Sequence, residues 1–157
     1  MSTEDQEIAF SPVPELCLSL WSVRHQMCLK PLETLGTIRK WGILRVEIAG
    51  FYDLEATELK DYIDKAELKV CSVIAPPLKT NHDATFYSKW VGTYLPLFGT
   101  NHVILQSSRA DFFRNDLDGW NAKSRHLSAV VQELRSHGIT VGYHCYPHDL
   151  QPNNGAC

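Results

Sequence analysis

The sequence lacks the features that mark several large classes of protein. It has no apolar run of about 18 or more residues, the length a membrane-spanning helix requires. Its N-terminal stretch MSTEDQE has neither the basic nor the apolar segment of a secretion signal. A formal net charge of −3 gives no basic surface for nucleic acid or for an anionic membrane. These absences predict a cytoplasmic protein that binds neither nucleic acid nor membrane.

Several sequence motifs are also missing. There is no GxGxxG, no GxxxxGK[ST] and no GxSxG, which removes the usual signatures of dinucleotide, P-loop and hydrolase sites. No CxxC pair occurs, and the cysteines are odd in number and scattered: Cys17, Cys28, Cys71, Cys145 and Cys157. This pattern predicts free thiols in a reducing compartment rather than a disulfide framework.

The chain instead alternates short apolar segments with longer segments of helical character. Its 157 residues predict one domain, which we place at residues 16–157 after a polar lead-in at residues 1–15. Strands are predicted at residues 16–23, 44–50, 69–76, 102–108 and 139–144. Helices are predicted at residues 31–42, 54–68, 82–99 and 118–138, the third of them broken near Pro96. Such alternation predicts an α/β fold with a parallel sheet, and the strands read as apolar on both faces.

Two of the predicted helices carry an apolar stripe at helical spacing. One stripe consists of Leu59, Tyr62, Ile63 and Ala66, and the other of Leu127, Val130, Val131 and Leu134. Gly42 and Gly138 follow predicted helices, where glycine is a common C-terminal cap. These stripes predict the helix faces that cover the sheet.

Two folds accommodate five such units. One is a complete doubly wound sheet of five strands, and the other is part of an eight-stranded (β/α)₈ barrel, which needs about 250 residues. Both folds bind ligands at the carboxyl ends of their strands. The residues predicted there are Arg24, His25, Glu47, Pro76, Pro77, Gln106, Ser107, Ser108, His144, Cys145, Tyr146, His148 and Asp149.

Some of these residues have more than one interpretation. Glu47 lies in an apolar strand, so its carboxylate either forms a structural hydrogen bond to a neighbouring strand or acts on a substrate as acid, base or hydroxyl partner. His144 and His148 suggest a metal site, although loop histidines are often only solvated. Cys145 should point away from any site that His144 faces, because side chains alternate along a strand. Arg24 either holds an anionic or hydroxylated substrate or forms an ion pair at the rim.

Three stretches resemble the sugar phosphate isomerase/epimerase family, the xylose isomerase-like TIM barrels. LSLWSVRH at residues 18–25 is similar to the first strand of that family. Residues 34–72 are similar to its second unit, in which a strand reads VExAG and a tyrosine precedes the next helix. Residues 118–149 are similar to its fourth helix and fifth strand, which ends in GYHxH.

The resemblance implies a partial TIM barrel that binds a sugar or sugar phosphate. It also implies a divalent metal, manganese or zinc, and proton transfer next to a carbonyl through an enediolate. Under this interpretation His144 is a metal ligand, Glu47 and His148 are catalytic, and Trp21, Arg24 and Tyr146 bind substrate. Tyr146 departs from the family, because it stands where the second histidine of GYHxH is expected.

The family pattern stops after the fifth strand, so strands six to eight and most of the metal ligands are missing. Three functions therefore remain open. The chain is an isomerase or epimerase completed by a second half-barrel chain or a homo-oligomer, a non-catalytic barrel fragment, or a small doubly wound binding domain. We expect the isolated chain to retain little metal and to show no appreciable isomerase activity, because two ligands bind a divalent ion weakly.

Overall fold

The computed structural model describes residues 16–79, 81–107 and 117–146. Its strands are β1 (Cys17–Ser19), β2 (Arg45–Ile48), β3 (Lys69–Ile74), β4 (His102–Gln106) and β5 (Thr140–His144). Its α-helices are α1 (Arg24–Leu29), α2 (Pro31–Lys40), α3 (Ala56–Lys65), α4 (Ala84–Phe98) and α5 (Leu117–Ser136). A 3₁₀ helix (Leu20–Val23) joins β1 to α1. None of the helices in these ranges is long and apolar enough to cross a membrane.

The five strands form one parallel sheet in the order β1-β2-β3-β4-β5. The predicted α/β fold with sequential, barrel-like strand order is confirmed. A doubly wound sheet changes direction at a switch point, and this sheet does not. Sequential parallel pairing brings all five carboxyl ends to the same rim.

The two faces of the sheet differ in polarity. Val46, Ile48, Val73, Val103 and Leu105 lie on the face that α2 to α5 cover, and they are buried in one core with the apolar faces of those helices. The opposite face carries the polar residues Ser19, Glu47, Ser72, Gln106 and His144 together with Ile74 and Ile104. The prediction that the strands are apolar on both faces therefore holds only in part for this inner face, which is the face that a barrel turns toward its axis.

The sheet is curved at its first three strands. Cys17 on β1 and Cys71 on β3 form a disulfide, although β2 lies between these strands, and their Cα atoms are 7.0 Å apart. In a flat sheet alternate strands lie about 9.6 Å apart, so the sheet curls toward this bond. The prediction of free thiols is wrong for this pair, whereas Cys28 and Cys145 are free. A cross-link that closes a loop of this length is worth roughly 4 kcal/mol of stability.

The first strand is shorter than predicted. It ends at Ser19 rather than at residue 23, and Arg24 and His25 begin α1 instead of following a strand. Leu20 and Met27 are fully buried, so the turn into helix places both side chains in the core.

Pro96 does not break α4, which continues to Phe98. The proline lies in the last turn, where a missing N–H removes one helical hydrogen bond and no later turn is disturbed. Gly99 then ends the helix with a φ of +68°, a left-handed conformation that favours glycine.

Tyr87 on α4 fixes the loop that follows β3. Its ring is fully buried, and its hydroxyl donates a hydrogen bond to the carbonyl oxygen of Pro77 at 3.0 Å. Burial raises the pKa of Tyr87 above the ordinary value for tyrosine. Pro77 is thereby held at the rim where β3 ends.

We predict that Tyr87→Phe lowers the free energy of unfolding by about 1 kcal/mol, because it leaves a buried carbonyl without its donor. Tyr94→Phe is the matched control, since the Tyr94 ring packs at 5.0 Å from Phe51 and its hydroxyl forms no hydrogen bond among the described residues. Urea unfolding of the three proteins measures the difference. Equal stability of the two variants would contradict this role of Tyr87.

Candidate functional site

A cavity of about 580 Å³ opens at the carboxyl ends of the strands. Every strand contributes a side chain to it, either from its last residues or from the loop that follows. The lining residues are Ser19, Trp21, Ser22, Glu47, Ala49, Ile74, Pro77, Gln106, His144 and Tyr146. This is the rim at which the sequence predicted a ligand site.

Glu47 is the acidic group of the cavity, and its position depends on an irregularity in the sheet. The register between β2 and β3 shifts after Val46, so that Cys71 is an extra residue and Ser72 lies opposite Glu47. The Ser72 hydroxyl donates a hydrogen bond to Glu47 Oε2 at 2.8 Å. The carboxylate thus forms the structural hydrogen bond that one interpretation predicted, and it also lines the cavity.

A second polar group is formed by the ends of β4 and β5. The Tyr146 hydroxyl donates a hydrogen bond to Gln106 Oε1 at 2.6 Å, and Gln106 Nε2 donates to the carbonyl oxygen of Ala75 at 3.2 Å. The His144 ring lies beside the Tyr146 ring, with 4.6 Å between the centroids. These contacts orient Tyr146 and support one side of the exposed imidazole.

Trp21 provides an apolar ring at the cavity mouth. Arg24, predicted to bind substrate, does not line the cavity. Its guanidinium lies 4.7 Å from the centre of the Trp21 ring, and Nη1 donates to the Trp21 carbonyl oxygen at 3.0 Å. Arg24 therefore contacts Trp21 from the first turn of α1.

The loop after β2 was not identified by sequence reasoning. Tyr52 and Asp53 have φ values of +57° and +62°, a left-handed conformation that costs a non-glycine residue about 1 kcal/mol. Phe51 anchors this turn, with ring centroids 5.0 Å from Tyr94 and 6.2 Å from Phe98. Two consecutive left-handed residues cannot be read from a single sequence, because neither residue type requires that conformation.

The Tyr52 side chain lies close to the acidic group. Its hydroxyl is buried and forms no hydrogen bond of good geometry within the described ranges, although the backbone of Ala49 is near. Burial raises the pKa of Tyr52 to about 12, and the negative charge of Glu47 acts in the same direction. The Tyr52 phenol is therefore neutral at neutral pH.

The predicted site residues fall into three groups. Glu47, His144, Trp21 and Tyr146 line one cavity, and their roles stay predictions. Arg24 and Cys145 are not among its lining residues, which for Cys145 agrees with the alternation of side chains along β5. Ser108, His148 and Asp149 lie outside the described residues.

Comparison with family models and with curated proteins finds no match to the sequence. Solved structures do match. A sugar phosphate isomerase/epimerase from Parabacteroides distasonis has 18% sequence identity and a TM-score of 0.67, with 85% of this chain and 52% of that chain covered. The fold is that of a partial TIM barrel. The resemblance drawn from the sequence is thus confirmed at the level of the fold.

Two further solved structures share this fold but are different proteins. An AP endonuclease of family 2 from Brucella melitensis has 16% identity and a TM-score of 0.55, covering 71% of this chain and 48% of that one. The IOLI protein, solved with a zinc atom, has 12% identity and a TM-score of 0.53, covering 83% and 51%. The partial barrel spans about half the length of each of these structures.

We predict that the buried Tyr52 makes the stability of the fold depend on pH in the alkaline range. A tyrosine whose pKa is raised on folding stabilises the fold below the pKa of the unfolded chain, near 10, and that contribution is lost as the pH rises toward 12. Tyr52→Phe should therefore make stability less sensitive to pH above 10. The difference in phenolate absorbance between wild type and Tyr52→Phe should show one group that ionises near pH 12, and ionisation at the ordinary tyrosine value would contradict the burial.

Proposed function

We propose that the rim cavity binds a sugar or sugar phosphate and that, once further strands complete the barrel, it catalyses isomerisation or epimerisation. The observation that carries the proposal is the convergence of Glu47, Gln106 and His144, from three different strands, on one cavity. A reaction that moves a proton next to a carbonyl requires a base and hydrogen-bonding groups for several hydroxyls in one small space. The likeness in fold to a sugar phosphate isomerase/epimerase supports this chemistry.

In this proposal Glu47 is the acid and base. Oε2 is held by Ser72, while Oε1 forms no hydrogen bond within the described part of the chain, so it can accept a proton from a substrate carbon. The Ser72 hydrogen bond orients the carboxylate in the cavity. In isomerisation Glu47 returns the proton to the neighbouring carbon. In epimerisation a second group must protonate the same carbon from the opposite face, because a proton returned from the same face would restore the substrate.

The remaining cavity residues position the substrate. Tyr146, whose hydroxyl donates to Gln106 Oε1, lines the cavity where the sugar would bind. His144 offers a donor or an acceptor at the same rim, and Trp21 offers an apolar surface for the C–H face of the sugar. Arg24 supports Trp21 rather than the substrate. His148 is proposed as a proton-transfer group on the strength of the sequence alone.

The residues present do not by themselves fit the divalent metal that the resemblance implies. Across residues 16–79, 81–107 and 117–146, no three histidine, cysteine, aspartate or glutamate side chains form a group that could hold a metal ion. Glu47 and His144 offer two ligands, and stable catalytic zinc sites usually have three from protein. Further ligands would have to come from strands that complete the barrel or from residues outside the described ranges.

The edges of the sheet support completion by a partner. Among residues 16–79, 81–107 and 117–146, β1 and β5 each pair with a strand on one side only, and a strand edge of this kind presents a row of open backbone groups. Large apolar side chains are exposed in the chain segments around these two strands: Leu16, Trp21, Leu29, Leu32, Trp41 and Leu44 before β2, Leu117 at the start of α5 and Tyr143 on β5. We propose that these surfaces contact further βα units, supplied by more of the same polypeptide or by a second chain.

We predict that pentose and hexose phosphates perturb the NMR signals of Trp21, His144 and Tyr146 in the isolated chain. Glu47→Gln should weaken this binding about tenfold, the effect of losing a charged hydrogen bond of roughly 1.4 kcal/mol. Glu67→Gln is the matched control, because it removes the same charge from an exposed residue that pairs only with Arg39 at 3.6 Å. Perturbations that map elsewhere, or equal binding by both variants, would argue against the cavity as the sugar site.

We also predict that the isolated chain loses added Mn²⁺ or Zn²⁺ on dialysis, because the described residues supply two ligands at most in one place. His144→Ala should abolish the weak binding that titration detects before dialysis, whereas His137→Ala, a change on a distant exposed imidazole, should leave it intact. Elemental analysis of the dialysed protein checks the outcome. One retained equivalent of metal would show a more complete site than the one proposed.

A further inference from the structure

The Cys17–Cys71 disulfide lies at the opposite end of the sheet from the rim cavity. Both sulfurs belong to a second cavity of about 720 Å³, which is also lined by Arg45, Val70, Thr100 and His102, among others. Both cysteines are half-buried, so a small solute in this lower cavity can reach the bond. Cationic surroundings favour thiolate formation, and Arg45 lines the same cavity.

The surroundings of Cys71 suit a free thiol as well as a disulfide. Its sulfur lies 3.3 Å from the Val46 carbonyl oxygen and 3.7 Å from Ser72 Oγ. A thiol formed by reduction would find an acceptor for its S–H in place.

Cys71 also links the disulfide to the register shift between β2 and β3. It is the extra residue of the register shift, and that shift places Ser72 opposite Glu47. The Thr100 hydroxyl donates to the Cys71 carbonyl oxygen at 3.0 Å, which holds the backbone of the extra residue from the other side. The disulfide ties its side chain to β1. Breaking that bond removes the covalent restraint on the residue beside the Ser72–Glu47 hydrogen bond.

We propose that Cys17–Cys71 is a reversible redox site that exchanges with small thiols such as glutathione through the lower cavity. The redox state of this pair controls how rigidly the backbone is held at the β3 register shift, and thereby how rigidly Glu47 is held. In the forward direction a glutathione thiolate attacks one cysteine sulfur, forms a mixed disulfide and releases the other cysteine as a thiolate. A second glutathione thiolate attacks the mixed disulfide, which frees the first cysteine and yields glutathione disulfide. Oxidation is the same pair of steps reversed, so each step forms and breaks one sulfur–sulfur bond.

The proposed redox site does not depend on the proposed function, and its test requires no measurement of enzymatic activity. Wild-type protein is equilibrated in glutathione buffers of graded reduced-to-oxidised ratio, quenched with acid, and labelled with maleimide under denaturing conditions. Mass spectrometry should show a transition between a fully labelled chain and one with two fewer adducts, with peptides identifying Cys17 and Cys71. Cys28→Ser, at an exposed free thiol, should leave the transition unchanged, whereas Cys17→Ser should abolish it.

Hydrogen exchange on the two forms of the wild-type chain tests the link to Glu47. Reduction should speed exchange of the amides around Ser72 and Glu47 by roughly tenfold or more, while α4 and α5 remain unchanged. Measuring the reduced wild type avoids reliance on variants that could fold poorly. Three results would each overturn the proposal. They are full labelling of both cysteines at every glutathione ratio, a disulfide that no thiol buffer reduces in the folded chain, and equal hydrogen exchange in the oxidised and reduced forms.

Discussion

The parallel pairing of five strands in chain order is the constraint on which the rest of this structure depends. It fixes every helix to one face, because each helix connects a strand to its immediate neighbour. It also brings all carboxyl ends to the same rim, so that residues 97 positions apart in sequence, Glu47 and His144, line one cavity. No helix of the described ranges covers the inner face, and Glu47, Gln106 and His144 lie there.

The sequence allowed the helices and their buried faces to be predicted well, because apolar residues recur at helical spacing over long segments. Leu59 and Ile63 are buried as expected, and Gly138 has the left-handed φ of a helix end. The first strand was predicted too long because Leu20 and Val23 are equally apolar in a strand and in a 3₁₀ turn. Propensity alone does not separate these two conformations.

The site was only partly predictable, for reasons of geometry. Glu47 and His144 could be placed at the rim because strand ends can be located from the apolar segments. Ser72 could not, since its contact with Glu47 depends on a one-residue shift in register that no local pattern signals. The pairing of Cys17 with Cys71 could likewise not be predicted from the sequence, because it joins strands that are not neighbours and requires a curved sheet.

The open strand edges and the rim cavity are both features of an incomplete barrel. The solved structures with this fold are about twice as long as the region they share with this chain, and in a closed barrel no strand edge is exposed. In the proposal above, the exposed apolar side chains before β2 and at Leu117 and Tyr143 would contact further units of a closed barrel. Under that proposal, function at the rim depends on closure of the sheet.

The strand order can be measured directly by NMR on an isotope-labelled chain. Nuclear Overhauser effects between backbone amide and α protons should connect Leu18 with Val46, and Ile104 with Gly142, the pairs that the register places side by side. Backbone contacts of this kind between β1 and β3 should be missing, since β2 separates them and only the cysteine side chains meet. Regular backbone contacts between β1 and β3, the pattern of a doubly wound sheet, would contradict the partial barrel and with it the shared rim.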